Sequence, residues 1–335
     1  MPVVRRNILK DAAARDGYLR GIGLLKQEDS RFTTQQLGIP GPVVPVRTYD
    51  LFVVWHGRTM ATAIPPDGSP RVRNAAHRGP IFLPWHRVML GFLEKNLQRV
   101  LDEPDFALPY WDWAADGDAG SPTDAEIFSP ACLGGDGDPV ADGPFAYHPA
   151  DPATFTVRIE AAGPGGMKLA QTSRGLRRSF AQEPPFGWRT LPTGAEVEAA
   201  LAFAPAGADP ADRYDTLDFN ASSQGFRNLL EGWIPKDPAR PVHLHNQVHV
   251  WTGGDMGPST SPNDPLFYLH HCNVDRIWAG WLNRYGPLYA PDMTAPANVY
   301  QGERIDDPIA SPLGPAATPR SVLDVSAIYG YDTLP

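Results

Sequence analysis

The stretch LFYLHHCNVDRIWAGWLNRYG, residues 266–286, predicts a long helix that ends at Gly286. Prolines precede it at 262 and 265, and proline is favoured in the first turn of a helix. At a period of 3.6 residues, one face carries polar groups among apolar ones: His271, Val274, Asp275, Trp278 and Leu282. A histidine on the apolar face of a buried helix is either a satisfied core residue or a ligand.

Three other segments with helical patterning also contain histidine. Residues 47–60 include His56, an apolar stripe starts at His86, and residues 243–251 include the pair in HNQVH. Because the His86 ring lies on the stripe, we expect it to point into the core. A helix without histidine is predicted over residues 3–27. Four helices therefore bring histidines to inward faces.

The remaining chain is less regular. Residues 114–215 are rich in Gly, Pro, Asp and Ala, which predicts long ordered loops with a short hairpin around residues 154–162. Helical patterning returns over 224–233, and a proline-rich tail from 287 to 335 is expected to pack over the surface. We predict a single domain, residues 1–335, that is mainly α with little β.

Charge and hydropathy narrow the class of protein. The formal net charge is −9, whereas nucleic-acid-binding proteins usually carry a basic patch, so we expect no nucleic-acid partner. No run approaches the roughly 18 apolar residues of a membrane span, and we expect no membrane segment. The N-terminus has no apolar signal core, which predicts a cytoplasmic protein, or one exported with a partner that bears a signal.

The positions of the histidines indicate a metal site. Eight of the nine fall in two clusters: His56, His77 and His86, then His243, His245, His249, His270 and His271. His148 and His243 are interpreted as ordinary core residues. The carboxylate-containing patterns of non-haem iron and di-iron sites are missing, and neutral imidazole suits copper. Two sets of three, His56, His77 and His86 with His245, His249 and His271, predict a copper pair that binds O₂.

Five stretches resemble the tyrosinase and polyphenol oxidase family of dinuclear type 3 copper proteins: HRGPIFLPWHRVML (77–90), LPYWDWA (108–114), FRNLLEGW (226–233), HNQVHVWTGGDM (245–256) and SPNDPLFYLHHCNVDRIWAGW (261–281). The resemblance implies a four-helix-bundle core that holds two copper ions, with O₂ as co-substrate. The first-copper half covers about 47–113 and the second about 224–286. The two histidine sets match the ligands of the first and second copper.

His270 and His271 are adjacent, so only one of them easily faces the metal. Asp275 lies one helical turn after His271 and is predicted to accept its Nδ1–H, as a carboxylate behind a metal ligand often does. This favours His271 as the ligand and leaves His270 as a residue of the substrate-pocket wall. In the alternative interpretation, Asp275 pairs with Arg276 or with a neighbouring helix.

In the family, a glutamate upstream and an asparagine after the first ligand of the second copper are proposed to hold a water that takes the phenol proton. Glu231 and Asn246 match these two positions, and a carboxylate–water–amide arrangement is a plausible general base. Alternatively, Asn246 caps a helix and Glu231 pairs with a surface cation. The segment IPKDPAR, residues 234–240, looks like an insertion that bears on the alignment of Glu231.

Val250 and Ser259 match rim positions of the family's substrate pocket, and neither is bulky. IYGYD (328–332) resembles the motif that closes the catalytic core, so we expect a bacterial type without a C-terminal lid domain. Some bacterial relatives need a copper-loading helper protein. We predict a tyrosinase-like oxidase that ortho-hydroxylates monophenols and oxidises o-diphenols to o-quinones. The alternatives are a catechol or o-aminophenol oxidase and, more remotely, a haemocyanin-like oxygen carrier.

Overall fold

The computed structural model describes residues 2–64, 73–163, 166–182, 190–204, 210–215, 225–232, 243–311, 314 and 316–335. The helices are α1 (Ala12–Gln27), α2 (Thr48–Ala61), α3 (Phe82–Leu101), α4 (Trp113–Asp118), α5 (Gly194–Leu201), α6 (Phe226–Glu231), α7 (Leu244–Thr252), α8 (Leu266–Tyr285) and α9 (Ala297–Tyr300). The strands are β1 (Val3–Arg5), β2 (Asp29–Thr33), β3 (Pro45–Arg47), β4 (Val157–Ala161), β5 (Met167–Arg174) and β6 (Tyr329–Tyr331). Single 3₁₀ turns lie at Pro122–Asp124, Glu126–Phe128, Pro210–Arg213, Gly254–Met256, Ser261–Asn263 and Arg320–Val322.

Four helices, α2, α3, α7 and α8, surround the histidines. α3 and α7 both pack against α8, and α1 covers α2 and α3 from outside. α8 is buried along most of its length, as the apolar pattern of residues 266–286 predicts. The predicted fold class, a mainly helical bundle core with long loops and little β, is confirmed. Within the described part of the chain, no helix is long and apolar enough to cross a bilayer.

The N-terminus differs from the predicted helix over residues 3–27. Val3–Arg5 is a strand that pairs in parallel with Tyr329–Tyr331, and the helix begins only at Ala12. The side chain of Asp11 accepts a hydrogen bond from the Ala14 amide at 2.9 Å and so starts the helix. The helical pattern was overextended because the partner of β1 lies at the other end of the sequence.

The described residues of the loop-rich middle contain one hairpin, in which β4 pairs with β5 in antiparallel fashion. The predicted hairpin around residues 154–162 is therefore present but longer than expected, because those residues supply only its first strand and the second extends to Arg174. Asn263 donates from its side chain to the Ile159 carbonyl at 2.7 Å. This bond attaches the hairpin to the turn that leads into α8. The IPKDPAR segment lies outside the described residues.

Candidate metal centre

Three histidines of the second half meet at one point. His245 and His249 lie one turn apart on α7, and His271 lies on α8. The Nε2 atom of His271 is 3.3 Å from that of His245 and 3.4 Å from that of His249. Imidazole nitrogens about 2.0–2.1 Å from a tetrahedral metal ion lie roughly 3.3–3.4 Å apart. The spacing therefore fits three ligands of one metal ion.

The first half brings its three histidines together in a different way. His56 comes from α2 and His86 from α3, whereas His77 lies on the segment between these helices. One nitrogen of each ring lies within 4.8 Å of the others. The buried Nε2 atoms of His56 and His86 have no hydrogen-bond partner among the residues that the structure describes. Buried unpaired nitrogen lone pairs are costly unless a metal ion or water occupies the space between them.

The two sets are adjacent. The rings of His86 and His271 are stacked with centroids 4.1 Å apart and planes 10° from parallel. His77 and His245, also from different sets, have ring centroids 6.2 Å apart. The structure therefore supports a dinuclear centre between α3 and α8.

Backbone carbonyls orient four of the six rings through Nδ1. His56 contacts the Ser259 carbonyl at 2.6 Å, and His86 contacts the Phe82 carbonyl at 2.8 Å. On the other side, His245 contacts the Glu231 carbonyl at 3.2 Å, and His249 contacts the Met256 carbonyl at 2.7 Å. An Nδ1–H that donates to a carbonyl leaves Nε2 as the free lone pair, which is the tautomer that a metal ligand needs.

Burial keeps these imidazoles neutral. It lowers the pKa of His56 to about 3 and that of His249 to about 4, and it lowers the pKa of His77, His86, His245 and His271 well below the ordinary value. Charge on the neighbouring histidines lowers several of these values further. At neutral pH the site therefore presents six uncharged nitrogen donors, a donor set that suits copper in either oxidation state.

One nitrogen of His270 lies within 4.8 Å of a nitrogen of each of the other three histidines, but only His271 approaches both His245 and His249 at the spacing of shared ligands. No nitrogen of His270 lies within hydrogen-bond distance of another ligand nitrogen, although its ring stacks on His245 at 5.0 Å. His270 has no exposed surface and also contacts His249 and Trp113. It is a buried neighbour of the ligands, and its predicted place in the substrate-pocket wall stays a prediction.

Asp275 does not orient His271, and that prediction is wrong. Its carboxylate accepts hydrogen bonds from Arg87 at 2.6 Å, Arg5 at 3.2 Å, and the hydroxyls of Tyr329 and Tyr331, each at 2.6 Å. The alternative interpretation, a pair with a neighbouring helix, is confirmed by Arg87 of α3. These cations hold the pKa of Asp275 below its ordinary value despite burial.

Glu231 and Asn246 lie at the same end of the site but make different contacts. The Glu231 carboxylate is buried; it accepts from the Arg78 amide at 2.7 Å and from Arg227 at 2.6 Å. Burial raises its pKa, and Arg227 opposes this. Asn246 is partly exposed and is not the cap of α7, which is His243. Both alternative interpretations are therefore wrong. Asn246 does not cap α7, and the cation that pairs with Glu231 is the buried Arg227 and not a surface residue.

The predicted rim residues are partly exposed and lie close in sequence to the ligands. Val250 follows His249 on α7 and Ser259 follows the glycine-rich turn; both are partly exposed, like Asn246 and His249. Two features of the site are not predicted from the sequence: the carbonyls that orient the histidine rings, and the buried pair of Arg227 with Glu231. Only the spacing of four residues between Arg227 and Glu231 on a helix signalled that pair.

A helical bundle that encloses two adjacent sets of three neutral histidines defines a protein with a dinuclear metal centre. Residues 46–284 match the family model described as the common central domain of tyrosinase. The chain belongs to the tyrosinase family. It is a copper oxidoreductase of the type 3 class, acts on phenols, and has a pair of copper ions as cofactor and O₂ as co-substrate.

Relatives and solved structures agree with this assignment. The chain is 39% identical to a tyrosinase of Streptomyces glaucescens over 85% of this chain and 89% of the relative. It is 36% identical to the grixazone synthase of Streptomyces griseus, over 85% and 90% of the two chains. A polyphenol oxidase variant from Thermothelomyces thermophila has the same fold, with a TM-score of 0.68 at 23% identity and 98% and 88% coverage.

Proposed function

We propose that this chain ortho-hydroxylates monophenols and oxidises o-diphenols to o-quinones. The observation that carries the proposal is the meeting of two sets of three imidazoles, five of them buried and His249 partly exposed, across the stacked pair His86 and His271. In this proposal, His56, His77 and His86 hold the first copper ion, and His245, His249 and His271 hold the second. When bound, the copper pair supplies the binding of O₂ and the acceptance of two electrons from the phenol.

The protein contributes neutral ligands and an entrance. Low histidine pKa values keep the ligands uncharged, and carbonyl contacts fix which nitrogen faces inward. The partly exposed side chains of Asn246, Val250 and Ser259 form the entrance beside His249. Because neither Val250 nor Ser259 is bulky, a substituted phenol ring can approach the second copper site.

Monophenol hydroxylation additionally requires removal of the phenolic proton. We assign this step to a water held between the Glu231 carboxylate and the Asn246 amide. Two facts support it: the Glu231 carboxylate accepts from the Arg78 amide while its backbone carbonyl contacts the ring of His245, and Asn246 is partly exposed beside that ligand. A correctly placed general base contributes roughly 10²–10⁴-fold to a rate.

A specific observation favours the second candidate, a catechol or o-aminophenol oxidase. Both Glu231 oxygens already accept hydrogen bonds, from Arg78 and Arg227, and no hydrogen bond joins Glu231 to Asn246 among the described residues. A carboxylate whose two oxygens are both engaged has less free capacity to hold a further water. An o-diphenol is more acidic than a monophenol and needs this step less, so it would still be oxidised.

The test is a metal analysis with paired oxidation assays on tyrosine and a catechol. We expect two copper ions per chain and turnover of both substrates. Fast catechol turnover without any tyrosine turnover would establish the second candidate, and absence of bound copper would refute both. The variant Asn246→Ala should lower tyrosine hydroxylation about 10- to 100-fold while catechol oxidation changes less than about threefold. Val250→Ala, one turn along α7, is the matched control.

A further inference from the structure

His77 differs from the other five proposed ligands in how it is held. The others lie on helices α2, α3, α7 and α8, whereas His77 lies on a segment without regular structure. Its Nδ1 has no partner among the described residues, unlike those of His56, His86, His245 and His249. Neither a helix nor a ring hydrogen bond fixes this imidazole, so its position depends on how the backbone around it is held.

Two side chains from outside the first half hold that backbone, one from the loop-rich middle and one from the second half. Glu231 accepts from the Arg78 amide at 2.7 Å, directly after His77. The Tyr214 hydroxyl donates to the Pro80 carbonyl at 2.7 Å. Arg78 has a φ of 63°, a left-handed conformation that a residue other than glycine rarely adopts unless surrounding contacts impose it.

Arg227 links the Glu231 carboxylate to the backbone of Tyr214. Its guanidinium donates to Glu231 at 2.6 Å and to Asp215 at 2.6 Å, and its amide donates to the Tyr214 carbonyl at 2.8 Å. Tyr214, Arg227 and Glu231 are each at most 2% exposed. A buried arginine between two carboxylates fixes both of them in place, because moving either one leaves a charge unpaired. We call Tyr214, Arg227 and Glu231 the clamp.

We propose that the clamp positions His77 for the first copper ion, so that residues outside the first half determine how firmly that half holds its metal. The proposal rests on the ligand sets of the proposed function. Its consequence is selective when the contact between Tyr214 and Pro80 is removed and the Glu231 carbonyl beside His245 stays in place: the first copper site is weakened while the second, whose ligands lie on α7 and α8, keeps its metal.

The experiment compares two isosteric tyrosine variants. Tyr214→Phe removes the hydroxyl that holds Pro80. Tyr18→Phe is the control, because Tyr18 is equally buried and donates to the backbone carbonyl of Pro265, away from His77. Each copper-loaded protein is mixed with a chelator and its copper content is followed over time. Melting temperatures of the copper-free proteins are recorded in parallel, together with catechol oxidation at low and at excess copper.

We expect Tyr214→Phe to release one of its two copper ions at least about fivefold faster than the wild type, with excess copper restoring catechol oxidation. Tyr18→Phe should release copper at the wild-type rate even where its melting temperature falls equally. Arg227→Lys, which cannot reach both carboxylates, should act like Tyr214→Phe. Wild-type release rates in Tyr214→Phe and Arg227→Lys would overturn the clamp. A wild-type protein that does not bind two copper ions would overturn the proposed function itself.

Discussion

The two halves of the metal centre build the same set of three imidazoles by different means. In the second half, a spacing of four residues on α7 places His245 and His249 side by side, and α8 adds His271. In the first half, His56 and His86 come from two helices and His77 from an irregular segment. Local helical geometry alone accounts for the second site, whereas the first depends on contacts from elsewhere in the chain.

Those contacts come from the second half. The Ser259 carbonyl holds the ring of His56, and Glu231 accepts from the amide that follows His77. The reverse dependence is weaker, because the carbonyls that orient His245 and His249 belong to Glu231 and Met256 of the same half. Residues of the second half therefore hold ligands of both proposed metal sites.

Removing a single ligand, in separate variants of the first and of the second half, should have the largest effect on copper content and activity. His77→Ala and His249→Ala should each lower the copper content from two to about one per chain and reduce catechol oxidation by at least about 100-fold, since a dinuclear reaction needs both ions. Metal analysis and oxygen-uptake assays measure this. His148→Ala is the control and should behave as wild type, because His148 is exposed and is not the core residue that the sequence predicts. Full activity in either ligand variant would contradict the proposed sets.

Asp275→Asn tests what joins the two halves. The Asp275 carboxylate on α8 contacts Arg87 of α3 and, through Arg5 and two tyrosines, both ends of the chain. Leaving these buried cations without their partner should cost about 3–5 kcal/mol of unfolding free energy. Denaturant unfolding measures the loss, and Asp306→Asn, in an exposed pair with Arg320, should cost about 0–1 kcal/mol. The copper content of Asp275→Asn should stay at two ions per chain. A selective loss of the second copper ion would instead indicate that Asp275 orients His271, as the sequence predicts.

Much of the fold was accessible from local patterns. The helices that carry His56, His86, the pair on α7 and His271 follow from a period of 3.6 residues, and the structure contains all of them. The nature of the cofactor followed from histidines without accompanying carboxylates, together with the family resemblance. These features depend on residues close in sequence, which is why a single sequence sufficed. The domain limits and the ligand sets stay predictions that the geometry fits.

The errors concern contacts between distant residues. Asp275 was assigned to the nearest histidine on its own helix, but its partners are 188 and 270 residues away at Arg87 and Arg5. Residues 3–5 were read as helix because their partner strand lies at Tyr329–Tyr331. Periodicity contains no information about which buried arginine meets which carboxylate, so the clamp and this network appear only in three dimensions.

The copper-free protein should lose stability below neutral pH in both halves. Burial lowers the pKa of His56 to about 3 and of His249 to about 4, from 6.5 in the unfolded chain. As the pH falls below about 6.5, the unfolded chain therefore binds protons that the folded chain does not, and folding free energy is lost. Each such histidine lowers the free energy of unfolding by about 2 kcal/mol at pH 5.

Urea unfolding of the copper-free protein at pH 7.5 and pH 5 measures this loss. His56→Gln should lose about 2 kcal/mol less than the wild type over that interval, because the histidine that resists protonation is gone. His148→Gln should show the wild-type loss. An unchanged pH dependence in His56→Gln would mean that this half is open to protons and that burial does not keep its ring neutral.

The entrance gives the smallest expected effect and belongs to the second half alone. Val250 is partly exposed beside His249, so a larger side chain there narrows the approach without touching a ligand. Val250→Phe should raise the KM of a bulky substituted catechol about fivefold, which corresponds to about 1 kcal/mol, and leave that of unsubstituted catechol unchanged. Val43→Phe, at a valine 61% exposed in the loop before β3, is the control. An equal rise in KM for both catechols would indicate that Val250 affects the position of the metal ligands and does not line the entrance. The second half would then have no separate surface for selecting the substrate.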